Sequence, residues 1–430
     1  MKKPLFFSCI ALAFPMLAVA QLKFNLPDPL HAKDQKLVNE SHFVNKSLDS
    51  ATTEEFKPSV SVGSIMHAYY EMSQSRTAAG DPNEGDWSRS FVLYRARVLV
   101  GAQLSRKGSF FMETEIPNTM GNGGGGAPKG IKVAPIILDF QYEHVFNKYF
   151  SIIAGKQLVS NNRNGLQGAA SLLANDFTHY QYAYNMFEGD PLQGNFGRDM
   201  GVNTRGFLAD ERLEYRLGVF SGRRFPGQSP MRVVGRLQYS LLDKEKDFYY
   251  AGTKLGSAKT LTFATGVDAQ ADYMNLNVDG YLDIPVGNAG AVTANAAFAY
   301  MDGGKSTPDI PAKSFGLMIP KQTVQFLELG YYFKNLKIQP WIKYENQIIN
   351  EDRAFYGLAN DASATDLENA NLLMSNMRLG GGVNYWFNGY NTNLRISYTD
   401  AIAHRTNLDG DGVERKGTGQ IWVQLQLFFF

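Results

Sequence analysis

The last fourteen residues, Gly417 to Phe430, read GTGQIWVQLQLFFF and alternate strictly between apolar and polar side chains before the chain stops. An extended strand places one set of these side chains on one face, namely Ile421, Val423, Leu425, Leu427 and Phe429. The opposite face then carries Gln420, Trp422, Gln424 and Gln426. A period of two with one apolar face is typical of a strand between an apolar medium and water. A soluble sandwich has such strands too, so the fold depends on whether the pattern recurs.

The other end of the chain predicts export. Lys2 and Lys3 precede an apolar run, and Ala18-Val19-Ala20 forms an A-x-A cleavage site, so we expect residues 1–20 to be a signal peptide. No later stretch approaches the roughly eighteen uninterrupted apolar residues that a membrane helix requires. The sequence therefore argues against a helical membrane protein. The single cysteine, Cys9, lies in the signal, so the mature chain is expected to have no disulfide.

The composition suits a membrane β-barrel and argues against two other classes of protein. The chain has 430 residues with a formal net charge of +1, which gives no electrostatic reason to expect nucleic acid as a partner. It has 29 Phe, 22 Tyr and 42 Gly, which fit aromatic girdles at the membrane surface and tight turns. The 6 histidines show no spacing typical of a catalytic triad or metal site, so we do not expect an enzyme.

The alternating pattern recurs along most of the chain. We interpret residues 21–57 as a periplasmic N-terminal extension, because they lack sustained periodicity. Residues 58–430 then form the barrel domain. Its sixteen predicted strands are 59–73, 90–105, 108–116, 135–145, 149–159, 197–209, 213–222, 231–242, 258–270, 274–287, 290–302, 322–334, 335–349, 374–388, 390–403 and 417–430.

The connections between these strands alternate between tight turns and long loops. Turns such as Arg106-Lys107 and Asn388-Gly389 are expected to face the periplasm, whereas long loops such as 160–196 face outward. Two connections fit poorly, because 243–257 is unusually long for a turn and 271–273 is short for an external loop. The sequence thus predicts an all-β, transmembrane antiparallel β-barrel of about sixteen strands in the outer membrane of a Gram-negative bacterium. Such a barrel is wide enough for an aqueous channel.

Three short segments carry a resemblance to a known family. They are Tyr94–Val98 (YRARV), Ala154–Gln157 (AGKQ) and Gly197–Val202 (GRDMGV), which opens the strand after the third external loop. Together with the strand pattern of residues 58–430, they resemble the phosphate-selective porin O and P family. The resemblance implies a homotrimer of sixteen-stranded barrels, each narrowed by a third loop that folds into the lumen. That role would fall to residues 160–196.

The chain departs from this family in its charge. The phosphate channels are known for a dense ladder of arginines, whereas the 42 basic residues here are nearly balanced by 41 acidic ones. Phosphate selectivity therefore does not carry over.

Alternation within the strands predicts which charged side chains line the pore. An arginine that faces lipid at mid-depth costs about 2–4 kcal/mol, so arginines that alternate with apolar residues should point inward. On the second strand, for example, Arg95 and Arg97 alternate with Tyr94, Ala96 and Val98, which we expect to face outward. The predicted pore-lining residues are Arg95, Arg97, Arg216, Arg232, Arg236, Arg378, Arg395, Asp268, Asp279 and Asp283. They either form opposed basic and acidic walls with a field across the pore, or pair with each other and fill the lumen.

The last external loop contains half of a calcium-binding pattern. Asn407, Asp409 and Asp411 occupy positions 1, 3 and 5, and Gly412 occupies position 6. Position 12 is Thr418 instead of the bidentate Glu. The segment is therefore either a Ca²⁺ site or an acidic turn without a cofactor.

Two functions remain open from the sequence. The first is a porin that passes small hydrophilic solutes, with an anion preference if the inward arginines dominate the constriction. The second is a structural or accessory barrel with a plugged lumen, which binds partner barrel proteins in a larger outer-membrane assembly. The two differ in the third loop: folded inward it narrows a pore, and folded outward it presents Tyr180, Tyr182 and Tyr184 to a partner.

Overall fold

The computed structural model describes residues 56–75, 84–116, 135–159, 161–177, 197–223, 230–304, 319, 321–349, 375–405, 413–414 and 418–430. Sixteen long strands and one short strand lie in these ranges. They are β1 (Ser59–Gln74), β2 (Trp87–Gln103), β3 (Gly108–Glu115), β4 (Ile136–Asn147), β5 (Phe150–Leu158), β6 (Arg198–Leu208), β7 (Leu213–Phe220), β8 (Arg232–Ser240), β9 (Thr260–Gln270), β10 (Tyr273–Val286), β11 (Gly290–Asp302), β12 (Gln322–Phe333), β13 (Ile338–Ile349), β14 (Ser375–Tyr390), β15 (Thr392–Arg405), β16 (Val413–Glu414) and β17 (Thr418–Phe429).

The strands form one closed antiparallel barrel. Each long strand pairs with its neighbour in sequence, and β17 pairs with β1 from Ser64↔Phe429 to Ser73↔Gln420, which closes the sheet. Two-residue β16 only extends the edge of β15 beside the last loop. The predicted sixteen-stranded barrel is confirmed, and the predicted strands match the observed ones to within a few residues. The predicted signal peptide, most of the N-terminal extension, and Asn407, Asp409 and Asp411 lie outside the described residues, so those assignments stay predictions.

Burial in the barrel is inverted relative to a soluble protein. On β8, Val233 and Leu237 are 43% and 49% exposed, whereas Arg232 and Arg236 are 4% and 2% exposed. The same inversion occurs on β17, where Leu427 and Phe429 are exposed and Gln424 and Gln426 are fully buried. Apolar side chains outside and polar side chains inside are what a barrel in lipid requires. Among the described residues, no helix is long and apolar enough to cross a membrane.

One prediction of side-chain direction is wrong. Tyr94 does not face outward with Ala96 and Val98, because its hydroxyl donates to Asp176 of the third loop at 2.6 Å. The cause is a β-bulge: His67 and Ala68 of β1 pair with Arg95 and Leu93, so Tyr94 is left without a partner in the ladder. An extra residue in one strand shifts the alternation at that point.

The β1–β17 seam can be tested by crosslinking in the cysteine-free chain that begins at Gln21. Ala68 and Leu425 lie directly opposite each other on the outer face, so Ala68→Cys with Leu425→Cys should form a disulfide on mild oxidation. The bond would join the two ends of the barrel and change the mobility of the heat-denatured chain in electrophoresis. Thr265→Cys with Leu425→Cys is the control, because Thr265 lies on β9 and should not crosslink. A crosslink of the control pair alone would contradict the closed barrel.

Candidate functional site: a plugged lumen with an outer vestibule

The described part of the third loop, residues 161–177, runs through the inside of the barrel. Residues 161–175 are all buried and include two single 3₁₀ turns, Asn164–Leu166 and Ala169–Ser171. The side chain of Asn162 stabilises the first turn by accepting a hydrogen bond from the backbone N–H of Gly165 at 2.6 Å. The loop passes close to the wall at Gly266, where a Cβ would lie 1.7 Å from the carbonyl oxygen of Asn161. For residues 161–177, the prediction that the third loop folds into the lumen is confirmed; Tyr180, Tyr182 and Tyr184 lie outside the described residues.

A second segment enters the lumen from the end of the barrel where tight turns join the strands, which is the predicted periplasmic end. It is the connection 243–257 between β8 and β9, in which Glu245 and residues 248–253 are buried. This connection is longer than a tight turn because it extends into the lumen. We refer to residues 161–177 and 243–257 together as the plug.

The two segments of the plug are joined by backbone hydrogen bonds. Tyr250 N–H donates to Leu166 at 2.9 Å, Gly168 N–H donates to Tyr250 at 3.0 Å, and Thr253 N–H donates to Ser171 at 2.9 Å. The chains approach so closely that a Cβ on Gly252 would lie 2.8 Å from the Cα of Leu172. The two segments enter the lumen from opposite ends, and these hydrogen bonds join them into a single unit.

A buried ion pair lies at the centre of the plug. The guanidinium of Arg163 donates to both carboxylate oxygens of Glu245, at 2.6 and 2.9 Å, and neither side chain is exposed. The ring centroids of Tyr281 and Tyr250 lie 3.7 and 4.7 Å from this guanidinium. Burial alone would raise the pKa of Glu245, but the charges of Arg163 and Lys254 outweigh it and lower the pKa below its ordinary value. The carboxylate therefore stays ionised inside the barrel.

Arginines of the wall donate to the backbone carbonyl groups of the plug. Arg205 donates to Lys246 at 2.7 Å, Arg216 to Phe248 at 3.0 Å, and Arg395 to Ala174 at 2.7 Å. Within the described part of the chain, polar contacts join the plug to ten wall strands: β2, β6, β7, β8, β10, β11, β13, β14, β15 and β17. The plug thus crosses the whole width of the lumen.

Most of the predicted pore-lining residues form ion pairs, but only Arg232–Asp268 and Arg236–Asp279 join two predicted residues to each other. Arg232 binds Asp268 at 2.6 Å, Arg236 binds Asp279 at 2.5 Å, and Arg95 binds Asp176 of the third loop at 2.5 Å. Arg97 binds Glu113 and Glu115, and Arg216 binds Glu214. Asp283 accepts hydrogen bonds from the backbone of Lys254 and Gly256 and so holds the second segment of the plug. This geometry favours the second alternative from the sequence, in which opposite charges pair and fill the lumen.

Sequence reasoning missed several members of these networks. Arg163 and Glu245 lie in segments without strand pattern, and Arg198, which binds Asp139 at 2.9 Å, belongs to the GRDMGV segment but is not among the predicted pore-lining residues. The unusual length of the 243–257 connection was the signal that could have placed Glu245 inside the barrel.

Arg378 differs from the other nine predicted residues. It is half-buried, and its one hydrogen bond to a described residue is a long contact of 3.5 Å to the side-chain oxygen of Gln420. It lines a cavity of about 390 Å³, counting the part open to solvent. The cavity lies between residues 174–177 of the plug and the wall of β13, β14, β15 and β17. Arg378 and Gln420 are near the strand ends that join long loops, so this vestibule is on the outer side of the plug.

Comparison with known proteins agrees with the barrel architecture. OprB of Pseudomonas putida superposes with a TM-score of 0.54 at 10% identity, covering 86% of this chain and 94% of that one. The outer membrane channel DcaP of Acinetobacter baumannii gives a TM-score of 0.50 at 11% identity, covering 87% and 99%. The chain has the fold of outer-membrane porins. No protein-family model matches the chain, and no curated protein sequence matches it. The resemblance to the phosphate-selective porin O and P family therefore stays a hypothesis.

Chemical labelling of a buried cysteine can test whether the Arg163–Glu245 ion pair holds the plug in place. Glu245→Met leaves the guanidinium of Arg163 buried without a carboxylate, which costs about 3–5 kcal/mol and should loosen the plug. Ser171→Cys, buried in the plug, should resist a water-soluble maleimide in the otherwise unchanged protein and react at least tenfold faster beside Glu245→Met.

Lys254→Met is the matched control for this test. It removes a partner of Glu245 at 3.0 Å but leaves the pair with Arg163, so the protection of Ser171→Cys should persist. Equal protection in both variants would mean that the buried pair does not hold the plug in place.

Proposed function

We propose that the protein is an outer-membrane porin for small hydrophilic solutes, and that its plug keeps the passage narrow or closed until the plug moves. The observation that carries this proposal is the chemistry of the lumen wall. Asn203, Asn277 and Gln424 lie on the inner face of β6, β10 and β17, and neither polar side-chain atom of any of them has a hydrogen-bond partner among the described residues. A dry core would lose about 1–3 kcal/mol for each such group. A wall of this kind suits a lumen that carries water and polar solutes.

The way in which the plug is held also supports passage. Many of its contacts with the wall are hydrogen bonds and ion pairs, whose groups water can solvate once the plug moves; a hydrogen bond to a charged group contributes about 1.5–3 kcal/mol net. An apolar interface of similar extent would resist hydration. The plug is therefore suited to partial displacement.

Anion preference depends on which arginines are left for solutes. The carboxylates that bind Arg97, Arg232 and Arg236 neutralise these side chains. We propose that any preference for anions arises at Arg378 in the vestibule, which has no carboxylate within 4 Å among the described residues. Assembly as a homotrimer remains part of this proposal, because only the resemblance implies it.

A scaffold is the second candidate, and the plug is the observation that favours it. The plug is hydrogen-bonded to ten of the described wall strands and crosses the lumen. Such a barrel could serve as a closed subunit that presents its outer surface to partner barrels. It would need no solute path and no vestibule. Electrical recording separates the two functions.

Removal of the periplasmic half of the plug tests the porin. Asp243 and Lys259 face each other in the extended β8–β9 ladder, with Asp243 N–H donating to Lys259 at 2.9 Å, so Asn-Gly can replace residues 244–258 as a tight hairpin turn. In planar bilayers we expect the single-channel conductance of this variant to exceed that of the full chain severalfold.

The control is Glu211→Gln, which loses the rim contact with Lys246 at 2.8 Å but keeps the whole plug. Its conductance should equal that of the full chain. If the shortened variant folds as a barrel and yet conducts no better, the scaffold is the better description.

A further inference from the structure

We propose that the vestibule is a binding site for a small hydroxylated carboxylate, of the chemical class of a monomeric sugar acid. This inference deepens the proposed porin function by naming the solute class that its outer chamber binds, and it rests on that function only for the step of passage. Three features of the cavity carry it: an arginine without a carboxylate and a buried amide without a hydrogen-bond partner, both judged among the described residues, and an aromatic wall.

The arginine supplies the charge. Glu345 lies directly opposite Arg378 in the β13–β14 register, but its carboxylate binds the ammonium group of Lys343 at 2.7 Å. Asp176, also at the cavity, binds Arg95 at 2.5 Å. The guanidinium of Arg378 therefore keeps donors for a ligand, and its planar fork matches the two oxygens of a carboxylate.

The side-chain amide of Asn175 can form hydrogen bonds with hydroxyl groups of a ligand. Asn175 lines the cavity and is only 3% exposed, yet neither its side-chain oxygen nor its side-chain nitrogen has a hydrogen-bond partner in the described part of the chain. A carboxamide offers one acceptor and two donors, and a hydroxyl group can both accept and donate. The side chains of Ser397 and Thr399 line the same cavity and add two hydroxyl groups. A ligand with several hydroxyl groups fits this set better than a bare inorganic anion.

The aromatic wall supplies a flat apolar surface. Trp422 and Phe177 line the cavity, and Trp422 is held in place by stacking on Tyr69 at a centroid distance of 4.7 Å. Its indole N–H donates to Glu71 at 3.0 Å, which further fixes the ring. A sugar ring presents apolar C–H groups that can pack on such a surface. The cavity of about 390 Å³ includes space that is open to solvent, so a ligand there would be only partly enclosed.

Calorimetry on the refolded protein in detergent tests the site with three probes. Sodium glucuronate has the ring, the hydroxyl groups and the carboxylate, whereas glucose lacks the charge and acetate lacks the ring. We expect saturable binding of glucuronate, and binding at least tenfold weaker for glucose and for acetate. Equal affinity for all three, or no binding of glucuronate, would overturn the proposal.

Two variants assign the contacts. Arg378→Gln should weaken glucuronate at least tenfold and leave glucose unchanged, whereas Asn175→Leu should weaken both about fivefold. Lys107→Gln is the charge-matched control, because it removes one positive charge from an exposed turn far along the chain from the cavity and should change neither affinity. Unchanged glucuronate affinity in Arg378→Gln would overturn the role of the arginine. If that variant fails to fold as a heat-modifiable barrel, Arg378→Lys takes its place, with weakened binding expected because the bidentate fork is lost.

The binding test and the conductance test fail independently. Saturable glucuronate binding by a protein that conducts no better without its plug would keep the site and reject the porin. Conductance without glucuronate binding would keep the porin and reject the site.

Discussion

The structure depends on one constraint: in hydrocarbon, every backbone N–H and C=O group must find its partner within the protein. Strands satisfy this requirement only when the sheet has no edge, and pairing of β1 with β17 removes the last edge. Closure has a geometric consequence, because sixteen strands enclose a space far wider than their own side chains can fill. What occupies that space decides whether the barrel is a channel or a scaffold.

The plug meets the same constraint inside the lumen by a different route. Its backbone is irregular and cannot form a ladder, so its carbonyl groups need donors from elsewhere. Arg205, Arg216 and Arg395 of the wall supply them, and Arg163 donates from within the plug to Ala251 at 3.0 Å. The inward arginines therefore serve the backbone of the plug as well as the carboxylates beside them. A count of arginines in such a barrel says little about the solute, because many of them are committed to structure.

The sequence predicted the wall well and the contents of the lumen poorly, for a physical reason. A strand can be predicted from a short stretch of sequence, because alternation over about ten residues gives both its extent and its two faces. The plug is defined by partners far apart in sequence, such as Arg163 with Glu245, 82 residues away, and neither segment has a periodicity that reports the contact. The bulge at Tyr94 could not be predicted for a related reason: an extra residue in β2 is defined only by the pairing of β2 with β1.

In the porin proposed above, most lumen charges are paired, so discrimination between solutes would occur in the vestibule. A guanidinium bound to a carboxylate attracts a passing anion weakly, because the field of the pair falls off faster than that of a lone charge. Arg378 is different, since the carboxylate that faces it in the sheet binds Lys343. In a ladder of free arginines, the same residues would serve structure and solute binding. In this proposal, different residues serve the two roles. The paired residues hold the plug across the lumen, whereas Arg378, beside Asn175 and Trp422, lines the vestibule in which we propose that the solute binds.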